Sequence, residues 1–198
     1  MEVPVRIFTC LLLVLLPIHS NGYPNGKVEG VCGTMMPSHR GLDAQSSPSP
    51  YWLSFSRVNY TGMEGFNVTI LKGPTTIDFK GFMIQARAPN GNTPQGTFIS
   101  PSPDAQVLNC TNPNVLHGAV SHTSRSMKPT ISVIWIPPKP ATTDIQFRAT
   151  VVQNVSTFWI NVLSDVLPLA DAGAQLLAPT ISHLLLCSFG LLYVLFTL

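Results

Sequence analysis

The sequence predicts an all-β fold, an immunoglobulin-like sandwich of two sheets, and three observations carry that expectation. Apolar and polar residues alternate with period two in several short runs between Tyr23 and Pro168. No stretch in that span sustains a helical period. Clusters rich in proline and glycine, such as "APNGNTPQG" and "IPPKPATTD", punctuate the runs, because neither residue continues a sheet ladder well.

The chain opens with Arg6 followed by "IFTCLLLVLLPI", which meets Ser20, Asn21 and Gly22. A basic start, an apolar run too short to cross a bilayer and small residues where a signal peptidase reads describe a secretory signal. Residues 1–22 are therefore expected to be removed, with the mature chain starting at Tyr23.

The strands follow in order. Tyr51, Leu53 and Phe55 alternate with Trp52, Ser54 and Ser56, then Phe66, Val68 and Ile70 with Asn67 and Thr69. Phe82, Ile84 and Ala86 alternate with Met83, Gln85 and Arg87, and a shorter strand is expected over residues 96–100. Ile131, Val133 and Trp135 point one way and Ser132, Ile134 and Ile136 the other; a run apolar on nearly both faces belongs at the centre of the core. Ile145, Phe147, Ala149 and Val151 face inward, and "TFWINV" forms the last strand. With the turns "PSHRGLDAQSSPSP", "KGPTT" and "SPSPD" between them, about eight or nine short strands fit residues 23–165.

Residues 166–183 read as a stalk and spacer, and residues 184–198 as an apolar tail. The last basic residue is Arg148, so the tail lacks the cytoplasmic lysine or arginine that usually follows a retained helix. Asp171, Ala172 and Gly173 are small residues set before a ten-residue spacer, residues 174–183, and the apolar tail, the layout of a GPI-attachment signal with Asp171 as the attachment residue. A retained helix over residues 176–198 and a truncated product of a longer gene are the competing readings.

Residues 23–171 carry ten Lys and Arg against eight Asp and Glu, a balance that gives nucleic acid no basic groove. Cys32 and Cys110 are the cysteines of that span, and in an oxidising compartment they are expected to form one disulfide. Four sequons place candidate glycans on Asn59, Asn67, Asn109 and Asn154, each of which must then face solvent.

Several blocks carry a resemblance. "YPNGKVEGVCGTMMPSH", "GFMIQAR" followed by "GTF", Cys110 with "AVSHTSRSMK", then "ISVIWIPP" and "IQFRATVVQNVSTFW" are together similar to a reeler (reelin-type) domain over residues 23–162. The version most resembles those of ferric-chelate reductase-like membrane proteins and insect defence proteins. The resemblance implies a secreted β-sandwich used for extracellular binding or adhesion, without chemistry of its own. It leaves two alternatives: a short relative of the ferric-chelate reductases, and a secreted innate-defence protein. In the reductase relatives a haem unit follows the reeler domain, and haem in a membrane bundle needs axial ligands such as paired histidines. His183 is the one histidine of the tail, so no cofactor is expected. The partners implied are an extracellular protein, a glycan or a microbial surface ligand, with the membrane engaged through the C-terminal anchor at the cell surface.

The remaining chemical candidates are weak. His117 and His122 stand five apart in what reads as a strand, so alternation puts them on opposite faces, and His39 could join only if a loop folded over. Ser121 lacks the G-x-S-x-G elbow of a hydrolase nucleophile. Trp135 and Trp159 read as core. Arg40, Arg125 and Lys128 are expected to form a small basic contact patch for acidic glycans or microbial polymers. No catalytic or metal site is expected.

Overall fold

The computed structural model describes residues 23–39 and 41–170. The expected signal segment, Arg40, Asp171 and the apolar tail lie outside the described residues. Within them the chain forms strands β1 (Tyr51–Phe55), β2 (Phe66–Lys72), β3 (Gly81–Arg87), β4 (Thr97–Ile99), β5 (Ala105–Thr111), β6 (Asn114–His122), β7 (Ile131–Ile136), β8 (Ile145–Asn154) and β9 (Thr157–Leu167). One sheet has the order β1-β2-β7-β4 and the other β5-β6-β3-β8-β9, with antiparallel pairing throughout. The expected two-sheet sandwich is what the chain builds. Among the described residues the only helical element is a 3₁₀ turn of 3 residues, Glu29–Val31. No helix among them is long and apolar enough to cross a membrane.

Alternation explains the core. Ile145, Phe147, Ala149 and Val151 of β8 are all 0% exposed and meet Val68, Ile70, Val133 and Trp135 of the facing sheet in one cluster. Trp135 sits at its middle, its ring edge-on to Tyr60 at 5.4 Å, Phe66 at 5.5 Å and Phe147 at 5.3 Å. Its indole N–H donates to the Gln95 carbonyl at 2.9 Å. That contact depends on a turn at Gly96, φ 67°, where any Cβ would collide with the Ile136 carbonyl.

Four expectations are revised. β7 does lie inside its sheet, but only Ile131, Val133 and Trp135 are buried, while Ser132, Ile134 and Ile136 are half-buried on the face away from the second sheet. The strand covered on both faces is β3, buried at every position. Its inner residues Phe82, Ile84 and Ala86 join the main core, whereas Met83 joins a second cluster with Cys32, Met35, Leu108, Cys110 and Ala119. β5 and β6 escape simple alternation because their register shifts between Leu108 and Cys110, and His117 adopts a positive φ of 52°. β9 runs on to Leu167, fully buried, and Tyr60 then pairs with Leu169, so the sheet structure continues past residue 165.

Candidate functional site

The N-terminal segment, residues 23–39, has no periodicity with which to join a sheet, so something else must hold it. Three kinds of contact do. Cys32 is bonded to Cys110 of β5, with their Cα atoms 5.6 Å apart. Arg87 of β3 donates from Nη2 to the Cys32 carbonyl at 2.6 Å and the Gly33 carbonyl at 3.2 Å, and from Nε to Gln85 Oε1 at 2.8 Å. Gln85 Nε2 adds a second bond to the Cys32 carbonyl at 3.0 Å. A guanidinium carries enough donors to satisfy these clustered carbonyls at once, which is why a charged residue is tolerated at 2% exposure. Burial, helped by Arg148, brings the Arg87 pKa down to about 10, so it stays charged at neutral pH. Further along, Thr150 Oγ1 donates to the Met35 carbonyl at 2.6 Å, and Gln106 Nε2 donates to the Asn25 carbonyl.

Pinned this way, the segment stands off the outer face of β3, β6 and β8 far enough to leave a cavity of about 360 Å³. Its floor is the buried set Gly81, Phe82, Met83, Ser121 and Thr150. Val28, Val31, Met35 and Val152 add apolar walls. The exposed rim carries Tyr23, Lys80, Arg125 and Asn154. No Asp or Glu is among the lining residues.

Two histidines complete it, and they are not the pair that spacing singled out. His39 and His122 both line the cavity, His39 from the N-terminal segment where it packs on Phe158 of β9 and His122 from the end of β6. His122 Nδ1 lies 3.3 Å from the Phe82 amide nitrogen, the Phe82 carbonyl oxygen and Ser121 Oγ alike. Burial pushes its pKa down, outweighing hydrogen bonds to the backbone of Phe82 and Tyr23, with Lys128 pushing the same way as burial. His39 packs edge-on to Phe158 at 4.9 Å, and burial lowers its pKa as well. Its Nδ1 is buried without a hydrogen-bond partner among the described residues. His117 is exposed, its backbone N–H donating to Asn109 Oδ1 at 3.0 Å, and does not line the cavity. No group of three metal-ligating side chains gathers among the described residues. Ser121 Oγ is committed to the Phe82 carbonyl at 2.8 Å and is 1% exposed, so it presents no nucleophile.

The basic patch needs correction. Lys128 is 2% exposed, and its ammonium donates to the carbonyls of Lys80, Ser124 and Ser126 at 3.1, 3.0 and 2.8 Å and to Ser126 Oγ at 3.2 Å. It is a structural cation closing the β6–β7 turn and leaves Arg125 as the exposed member of the trio within the described residues. The acceptors Asn59, Asn67, Asn109 and Asn154 are all exposed, and Asn154 stands on the cavity rim. Trp135 and Trp159 are core, at 0% and 8% exposure. The cavity itself was missed by sequence reasoning. Its one trace was the apolar Val28, Val31 and Met35 around Cys32, too short and irregular to read as an element.

Comparison with known proteins agrees with this architecture. A family model described as Reeler domain matches residues 30–174. Ferric-chelate reductase 1 of Mus musculus is 36% identical over 197 residues, covering 93% of this chain and 32% of its own. A defense protein of Hyphantria cunea, Hdd11, is 33% identical over 145 residues, covering 73% of this chain and 87% of its own. The chain thus spans about a third of the reductase relatives it matches and most of the defense protein. The crystal structure of the human F-spondin reeler domain superposes with a TM-score of 0.54 at 20% identity, covering 66% of this chain and 96% of that one, a likeness of fold. With the family model spanning most of the sequence, the disulfide in place and the sandwich shared, the chain belongs to the Reeler domain family.

Proposed function

We propose that the protein is a membrane-tethered extracellular glycoprotein that acts by binding and does no chemistry of its own. The observation that carries this is the cavity over β3, β6 and β8: a concave, mostly apolar site with a few convergent polar groups is the usual form of a ligand site. The serine that could act as a nucleophile there, Ser121, is engaged with the Phe82 carbonyl. Exposure of Asn59, Asn67, Asn109 and Asn154 supports a glycosylated domain, and a GPI anchor at Asp171 supplies the tether. Its partners on this reading are an extracellular protein, a glycan or a microbial surface ligand.

Similarity to an insect protein supports a second reading. The chain is 33% identical to the Hyphantria cunea defense protein, so a secreted defence role competes with a tethered one. A reductase role would need haem, and haem absorbance in the purified protein would favour it.

The test is to express the full chain on cells and treat them with phosphatidylinositol-specific phospholipase C. Release of the protein is expected. Retention after treatment contradicts the anchor, and accumulation in the medium without treatment favours the secreted reading.

A further inference from the structure

We infer that the cavity over β3, β6 and β8 holds a medium-chain fatty acid, its carboxylate at Arg125 and Lys80 on the rim and its tail over Met35 and Phe82. The inference rests on reading the cavity as a ligand site and adds the class of ligand.

The body of the ligand follows from what the lining has left to offer. Thr150 Oγ1 is spent on the Met35 carbonyl and Ser121 Oγ on the Phe82 carbonyl, and His122 Nδ1 lies against the Phe82 backbone and Ser121 Oγ. Asn154 Oδ1 already accepts from Ser156 N and Ser156 Oγ, both at 2.9 Å. His39 Nδ1 is the buried polar side-chain atom of the lining left without a partner among the described residues, so a polyol entering here would lose water and regain few hydrogen bonds, a net cost, whereas an alkyl chain itself loses nothing polar. Val28, Val31, Met35 and Val152 offer aliphatic contact, with β3 at Phe82 beneath them. At about 360 Å³ the space falls near the lower end of small-molecule sites, roughly 300–1,000 Å³, which suits one chain and excludes a two-chain lipid.

The head follows from charge. Every formally charged residue lining the cavity is basic, Lys80 and Arg125, both exposed at the rim. No carboxylate faces them from the lining, so an entering anion meets only attraction. Burial lowers the His122 pKa, so its ring does not oppose the tail.

Protein produced from the full sequence and immobilised is incubated with radiolabelled octanoate, decanoate, decanol and decylammonium. Two cavity-filling variants, Val152→Trp and Val28→Trp, give the background, so that failure of one to fold leaves the other. Decanoate is expected to bind saturably, one per chain, about fifteenfold tighter than octanoate for its two extra methylenes. Decylammonium is expected to bind at least tenfold more weakly than decanoate. Replacing Arg125 and Lys80 together by alanine is expected to weaken decanoate tenfold or more and leave decanol unchanged. If decylammonium matches decanoate, or the double replacement changes nothing, the head assignment is overturned while the cavity remains a ligand site. If decanol binds and decanoate does not, the fatty acid is wrong but the site stands. If none of the four binds above the filled variants, this inference and the cavity as a ligand site both fall.

Discussion

Arg87 and Cys32 meet across 55 positions of sequence through a guanidinium-to-carbonyl hydrogen bond of 2.6 Å, buried beside the disulfide that Cys32 makes with Cys110. This pairing ties the N-terminal segment to the outer face of β3, and the cavity exists because the tie holds the segment at that height. Replacing Arg87 by methionine keeps the volume but strips the Cys32 and Gly33 carbonyls of their donor. The expected loss of stability is about 3 kcal/mol, because hydrogen bonds from a charged donor are lost and buried acceptors are stranded. Urea unfolding of the variant measures it, and Arg87→Lys should recover only part, since an ammonium lacks the planar fork.

The disulfide closes a separation of 78 residues. Replacing Cys32 and Cys110 together by serine is expected to cost roughly 4 kcal/mol on the chain-entropy model. Loosening should be greatest at the segment it anchors. Limited trypsin digestion is expected to cut after Lys27 much faster in the variant, with cleavage after Arg148 in β8 little changed.

Gly26 has φ 65°, and a Cβ at that position would run into the His122 carbonyl. Gly26→Ala is therefore expected to lift the start of the segment off β6. Hydrogen exchange of the amides around His122 should quicken, while those of β7 at the sandwich centre keep their protection.

Acid should weaken the same region. Burial lowers the folded pKa of His122 and of His39 below the ordinary 6.5, so as pH falls through 6.5 the unfolded chain takes up protons that the folded one does not. The folded state loses stability over that range, and the loss ends once pH drops below the folded values. Unfolding free energy measured from pH 7.5 down to 5 should decline. His122→Gln, which keeps hydrogen-bonding groups for the Phe82 backbone without a titrating ring, should flatten the decline.

Lys128 and Arg125 should separate cleanly. Lys128→Ala removes an ammonium with four oxygen partners and is expected to cost about 2 kcal/mol. Arg125→Ala, exposed, should change stability by no more than about 0.5 kcal/mol. Thermal unfolding of the two variants side by side distinguishes them.

These particulars show what was legible in the sequence. β1, β2, β7 and β8 could be read because one face of each meets the core and the other does not, which is what alternation records. On β3, Gln85 and Arg87 look like solvent residues until the carbonyls of Cys32 and Gly33 are placed over them. Lys128 misled in the same way, for a lysine's composition gives no sign that its ammonium will be capped by backbone. His117 and His122 were set apart by an alternation that the positive φ at His117 breaks, and His39 comes to line the same cavity as His122 through a segment held by a cross-link between positions 78 apart in sequence. Local pattern fixes which strands form. The cavity depends on long-range ties that no local pattern records.

The central claim is that the face of β3, β6 and β8 beneath the N-terminal segment is a ligand site. The most direct measurement is a crystal structure of the protein grown with decanoate. Continuous density along Met35 and Phe82, ending in a carboxylate at Arg125, is the predicted result. An empty cavity at saturating decanoate, or decanoate bound only elsewhere on the molecule, would contradict the account.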